Sequence, residues 1–190
     1  DIFIDINKII EEDLDINVKI LYIDGSKFEA NANKMTFVWK KSSQKYYQNT
    51  WKKFIKLVKK LNRYFSREGI EVYYSLIKEP NIAYMLEIAD RVEKYMEANN
   101  IEFVHGKGKK KSEIQKLYDE LKEYAIRISK YIMHFDICGD RNSFSKTDPD
   151  ATFMKMKYDY YNHTNVFKPG YNVQFGISDG FIRNVYVSSD

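Results

Sequence analysis

From Tyr47 onward, the large apolar side chains Tyr47, Trp51, Phe54, Val58, Leu61 and Phe65 recur at intervals of 4, 3, 4, 3 and 4 residues. That alternation is a heptad seam, which a long helix buries against other helices. Ile82, Met85, Ala89, Val92 and Met96 form a second set. Ile114, Leu117, Leu121, Ala125, Ile128, Tyr131 or Ile132, and Phe135 form a third. Three long helices packed together are expected. The breaks agree: "REG" at 67–69 and "KEPN" at 78–81 flank a more extended "IEVYYSLI", and "NNIEFVHGKGKKK" fills 99–111.

On either side of this block the period changes. Ile2, Ile6, Ile9, Ile10 and Leu14 have helical spacing, so a short helix over 2–14 is expected. "VKILYID" at 18–24 reads as a buried strand ending at Asp24-Gly25, with "SKFEA" continuing or turning out of it. After Cys138, "GDRNSFSKTDPDATF" reads as a polar, turn-rich linker, and "DPDATFMKMKYDYY" as the start of a short helix with Asp148 as N-cap and Pro149 at its first position. Two β-rich runs, 170–178 and 181–188, flank Asp179-Gly180, a pair suited to a two-residue type I′ hairpin turn.

Charge is segregated along the chain. The net charge of +4 conceals ten Lys or Arg and no Asp or Glu between Lys40 and Arg67, against four basic and eight acidic residues in 1–39. Such a run is either a solvated helix face or a surface that meets an anion such as a phosphate backbone. A chain of 190 residues, 44% hydrophobic and 16% aromatic, has material for a real core. The single Cys138 forms no internal disulfide, and no long uncharged apolar run marks a membrane span. A reducing, soluble, cytoplasmic setting is expected. His105, His134, His163 and Cys138 have no zinc-site spacing, and phosphate-binding, dinucleotide-binding and serine-hydrolase loops are absent.

Carboxylates remain as candidates for chemistry. Asp24 at a strand end, followed by Gly25, is where a metal-binding acid would be fixed by the strand and approached across the glycine. The same pair is also common in plain turns. The wider text favours the acid. "IDGSKFEANANKMTFVWKK" (23–41), then "RNSFSKTDPDATFMKMK" (141–157) and "KPGYNVQFGI" (168–177), resembles the DDE transposases of bacterial insertion sequences. The relevant group carries an Asp-Gly-Thr-Lys-x-Glu-Ala-Asn-Ala-Asn-Lys signature. The likeness runs from about residue 20 to the end, the helices matching only in character, and Ser26 replaces the usual threonine while keeping the hydroxyl.

The resemblance implies a ribonuclease-H-like catalytic domain whose first strand carries the first acid of the triad, here Asp24, as catalytic residue and metal ligand. In such enzymes three carboxylates hold two Mg²⁺ or Mn²⁺ ions, which activate the attacking oxygen and stabilise the leaving one during phosphodiester displacement on DNA. The second acid, in an Asp-Ala-Gly-Tyr context, and the helix-borne glutamate do not occur in these 190 residues. Glu29, Asp148, Asp150 and Asp190 stand in neither motif. The chain is therefore expected to be a fragment, inactive alone.

The expected fold is α/β: a partial ribonuclease-H-like core of three mostly antiparallel strands, with a long all-α insertion between the first and second. The expected divisions are 1–39, 40–138 and 139–190. DNA is the expected partner, contacted by Lys27, Lys34, Lys52, Lys56, Lys59 and Arg63, with a homodimer in the transposition complex and no membrane. A non-catalytic nucleic-acid-binding helical module, or an inactive transposase relic, is the alternative.

Overall fold

The computed structural model describes residues 2–17, 19–106, 108–158, 160–161, 163 and 166–189. Val18 of the expected first strand and Asp190 of the candidate carboxylates lie outside the described residues. The elements are α1 (Ile2–Leu14), β1 (Tyr22–Glu29), β2 (Phe37–Trp39), α2 (Lys40–Arg67), α3 (Ile82–Ala98), α4 (Glu113–Cys138), β3 (Ser143–Ser145), β4 (Thr152–Lys155), β5 (Phe167–Ser178) and β6 (Phe181–Ser188). They divide into two compact units, Asp1–Trp39 with Ile137–Asp190, and Lys40–Asp136. The fold is mixed α/β with antiparallel sheets.

In the helical unit the three apolar seams bury one another. Phe54, Val58 and Leu61 of α2, Met85 and Met96 of α3, and Leu121 of α4 are fully enclosed. Both helix ends that precede a change of direction are built the same way. Gly69 takes a left-handed φ of 73° after α2, and the Ile70 amide donates to Phe65 O at 2.9 Å. Asn100, with φ 51°, does the same after α3, where the Ile101 amide donates to Met96 O at 2.9 Å. These are Schellman closures, which satisfy carbonyls that the last turn leaves open.

The extended segments between helices are fixed by amide side chains, one half-buried and one fully buried. Asn62 donates to Tyr74 O and accepts from Tyr74 N, both at 2.8 Å, and so acts as a strand neighbour for a strandless segment. Gln115, fully buried, does the same for Val104 at 2.9 and 3.0 Å. Each pairing removes a backbone donor and acceptor that burial would otherwise leave unpaid.

The sheet unit is organised around β5. Along one side it pairs with β1, Tyr22 opposite Ile177 through Glu29 opposite Gly170. Along the other it pairs first with β4 and then with β6. The β5–β6 hairpin turns on Asp179 (φ 50°) and Gly180 (φ 85°), the two left-handed residues that a type I′ turn requires. In α1 the apolar stripe is exposed, and the buried residue is Asn7. Arg183 of β6 ties this helix down, donating to Asn7 O at 3.0 Å and to the Glu11 carboxylate.

Four expectations are corrected. First, β1 is not buried: seven of its eight residues are exposed, while pairing to β5 carries it through Gly25 to Glu29, so that "SKFEA" continues the strand. Second, the stretch expected to be a linker contains the buried strand β3, paired with β2. Third, residues 148–155 form no helix. Asp148-Pro149-Asp150-Ala151 is a tight turn, with the Ala151 amide donating to Asp148 O at 3.1 Å, and Thr152 then joins β5 as β4. Pro149 suits the second position of that turn as well as the first of a helix. Fourth, the sheet of β5 has four strands rather than three, and the chain enters α2 directly from β2 and leaves α4 towards β3, so the helices lie between β2 and β3.

Two stability outcomes follow. Leu121→Ala, which empties a fully buried site, should cost about 2–5 kcal/mol in denaturant titrations, and Lys53→Ala on the exposed face should change little. A Cβ at Gly170 would meet Phe28 O at 2.6 Å, a backbone atom of the paired strand. Gly170→Ala should therefore cost about 1–3 kcal/mol, and thermal melts showing no loss would disprove the register of β1 on β5.

Candidate functional site

Asp24 is the third of the eight residues of β1, opposite Phe175. Directly opposed residues of antiparallel strands share a face, so Asp24 stands with Tyr22, Ser26 and Phe28, across from Val173, Phe175 and Ile177. That face is largely apolar, its polar groups being Asp24, Ser26 and the hydroxyls of Tyr22 and of Tyr171, which lies opposite Phe28. The carboxylate is exposed, and its Oδ1 accepts from the Gly25 amide at 2.8 Å. Gly25 is not reserved for close approach, since a Cβ there would make only ordinary contacts at 3.7 Å or more.

Of the other candidate carboxylates, Glu29 and Asp148 serve the fold, whereas Asp150 contributes its main-chain groups. Glu29 is gripped by Lys168 and by Lys34 at 3.3 Å. Asp148 accepts from the Tyr171 hydroxyl at 2.6 Å and from the Asp150 amide at 3.3 Å, while Asp150 O accepts from Arg141 at 2.8 Å. Tyr171 is four residues along β5 from Phe175, or about 13 Å, so Asp148 belongs to a different part of the sheet from Asp24. Among the described residues no three His, Cys, Asp or Glu side chains gather where a metal ion could be held. The described residues therefore do not fit a two-metal centre: Asp24 stands without a second or third carboxylate beside it.

The histidines stand apart. His134 Nδ1 is 3.0 Å from Ser43 Oγ in a buried pair, and His163 lies beside Tyr158. His105 stacks on Phe103.

The expected DNA-binding residues divide into two groups. Lys27 donates to Lys155 O at 2.7 Å and Lys34 pairs with Glu29, so both are exposed and already tied within the sheet unit. Lys52, Lys56, Lys59 and Arg63 are exposed on α2. Around the helix they do not stand alone. At 100° per residue, the nine Lys and Arg from Lys41 to Arg67 fall in one sector about 120° wide, opposite the buried seam. Of these, Lys60 reaches Glu120 at 3.9 Å, and Arg67 reaches Glu68 at 3.2 Å and Glu113 at 2.8 Å. Lys41, Lys45, Lys52, Lys53, Lys56, Lys59 and Arg63 make no ion pair among the described residues.

Neighbouring helices are built otherwise. On α3 and α4, Arg91 pairs with Glu87 at 2.6 Å, Lys94 with Asp90 at 2.8 Å and Arg127 with Glu123, each one helical turn away. On α2, Lys52, Lys56 and Lys60 follow one another at the same spacing with like charge, and no acid occupies the first turn. Both features work against an isolated helix.

Comparison of the chain with protein-family models, with curated proteins and with solved structures returns no match. No described helix is long and apolar enough to cross a membrane.

The Glu29 clamp carries a pH signature. The hydrogen bond from Lys168 holds the carboxyl below the usual glutamate range, with partial desolvation opposing and Lys34 reinforcing it. A lowered folded-state pKa contributes stability that is present above the unfolded value and is lost as pH falls through the folded one. Glu29→Gln should therefore flatten the loss of stability of the sheet unit between about pH 5 and pH 3, and leave its slope near neutrality unchanged. Urea titrations across that range check it.

Proposed function

We propose that this chain is part of a DDE-type DNA transposase, its sheet unit being the first portion of a ribonuclease-H-like core and Asp24 the first acid of the triad. The ordered likeness of 23–41, 141–157 and 168–177 supports the reading, as does the meander in which β1, β5 and β6 lie side by side, each antiparallel to the next. The observation that carries it is the condition of Asp24: an exposed carboxylate on a largely apolar sheet face, with no cation paired to it among the described residues. Glu29 and Asp148, by contrast, are held by partners within the sheet unit. On this reading two more carboxylates come from outside these 190 residues, and Mg²⁺ or Mn²⁺ is held only when all three meet.

A second reading, a nucleic-acid-binding helical module without catalysis, is favoured by the uncompensated face of α2, which does not depend on Asp24. A nucleic acid is the partner on both readings, and DNA on the first.

The test is strand cleavage. The 190-residue chain should cut no DNA in Mg²⁺ or Mn²⁺, since one carboxylate does not place two ions about 3.5–4 Å apart. In a chain extended to include the remaining acids, Asp24→Asn keeps the side chain's size and removes its charge. Cleavage should fall by orders of magnitude, with folding and DNA binding retained. Full activity of that variant, or metal-dependent cleavage by the 190-residue chain, would overturn the assignment.

A further inference from the structure

We infer that the exposed face of α2 is a phosphate track for duplex DNA, about one helical turn long and indifferent to base sequence. The inference rests on the reading that the chain acts on DNA, and adds Lys41, Lys45 and Lys53 to Lys52, Lys56, Lys59 and Arg63.

The composition of the face is the first reason. Every exposed side chain on α2 is Lys, Arg, Ser, Gln, Asn or, at Tyr46, a phenol, so each carries a hydrogen-bond donor and none a negative charge. Phosphate oxygens accept from these groups. Length is the second. From Lys41 to Arg63 the helix rises about 33 Å, the span of roughly ten base pairs at 3.4 Å each. Rigidity is the third: the opposite side of α2 is locked into the core through Trp51, Phe54, Val58 and Leu61, so the cations are presented on a fixed rod.

The same packing argues against an anionic membrane. An interfacial helix inserts apolar side chains beneath its charged ones, and here those side chains are buried within the unit. Base readout lacks a basis as well, because the long flexible lysines that dominate the face supply point charges rather than planar forks.

Like charges one turn apart make the face self-repelling. Duplex binding relieves that repulsion and releases the counterions condensed on the phosphates, so affinity should fall steeply with salt. Neutral substitutions should also spare the fold.

Fluorescence anisotropy of the 190-residue chain with two labelled duplexes of about 20 base pairs and unrelated sequence tests this. Between about 50 and 200 mM salt, affinity for both should fall by roughly 10³-fold. Lys52→Gln, Lys56→Gln, Lys59→Gln and Arg63→Gln together should lower the slope of log affinity against log salt by about 3 to 4. Arg91→Gln, Lys94→Gln, Lys111→Gln and Arg127→Gln remove the same net charge from paired positions on or beside α3 and α4, and should change affinity by no more than about twofold. Circular dichroism should show the α2 variant melting no lower than the parent at low salt. If it unfolds, Lys56→Gln alone should still lower the slope by about one.

Undiminished affinity in the folded α2 variant, equal loss in both quadruple variants, or a preference above about tenfold for one duplex sequence would overturn the inference. Equal capture by phosphatidylserine vesicles would overturn it too. Loss of this binding with Asp24-dependent cleavage intact in the extended chain would sink the track and spare the transposase reading. Binding without Asp24-dependent cleavage would do the reverse.

Discussion

The sheet unit depends on β5. Its twelve residues hydrogen-bond to β1, β4 and β6, bringing together parts of the chain more than a hundred positions apart. Where β5 is pressed between β1 and β4, the chain has Gly170, beneath Phe28 O and between the sulfurs of Met154 and Met156. No side chain fits there without moving backbone. Aromatic packing extends the constraint to the second sheet: Phe153 of β4 stacks on Phe167 at 5.0 Å and meets Phe37 and Trp39 of β2 edge-on at 4.8 and 5.0 Å. Since β2 leads into α2 and β3 follows α4, the short β2–β3 ladder also closes the long excursion through the helices. Val38, Phe144 and Cys138 bury themselves around it. A 97-residue unit can therefore sit between two three-residue strands without an extended loop at either junction.

Within the helical unit, packing and charge are assigned to opposite sides of one helix. The buried side of α2 is continuous with the core and sets stability. Its outer side contributes nothing to packing and gathers repulsion that α3 relieves by pairing Arg91 and Lys94 each with an acid one turn away, as α4 does at Arg127. Since exposed ion pairs contribute little to stability, the absence of acids on α2 costs the fold little. What it changes is the field outside the protein, where unopposed charges on a rigid rod add up over distances within the screening length.

Local regularities of this chain were legible, and pairings set by distant partners were not. The three seams identify the helices because a heptad spacing is written in neighbouring residues, and the hairpin is readable because Asp179-Gly180 is the turn. Strands of three or four residues have no such period. Ser143-Phe144-Ser145 looks like polar loop until Phe37-Val38-Trp39 is placed beside it, and Asp148-Pro149 suits a helix start or a turn until β5 claims Thr152. Asn62 and Gln115 left no signal either, because an amide in a helix declares its strand-like role only when an extended segment lies against it. The exposure of β1 was hidden for the opposite reason: its apolar residues read as burial, whereas pairing on one edge is all that β5 supplies.

The signature from Asp24 to Lys34 can be divided by the same logic. Glu29 holds both Lys34 and Lys168, Lys27 reaches Lys155 O, and the Asn33 amide donates to Thr147 Oγ1 at 2.9 Å. In the downstream stretches, Tyr171 and Arg141 hold the turn at 148–151, and Gly170 admits β1. These residues have reasons to recur in any chain that builds this sheet, whatever the chain does, so likeness at these positions speaks mainly of fold. Asp24 has no such reason. Its one hydrogen bond is to the amide of its own neighbour, a bond that asparagine or serine would make as well, and its charge neutralises nothing around it. A charge fixed on a strand and open to solvent is available to a ligand, and it is on this residue rather than on the signature as a whole that the proposed chemistry stands.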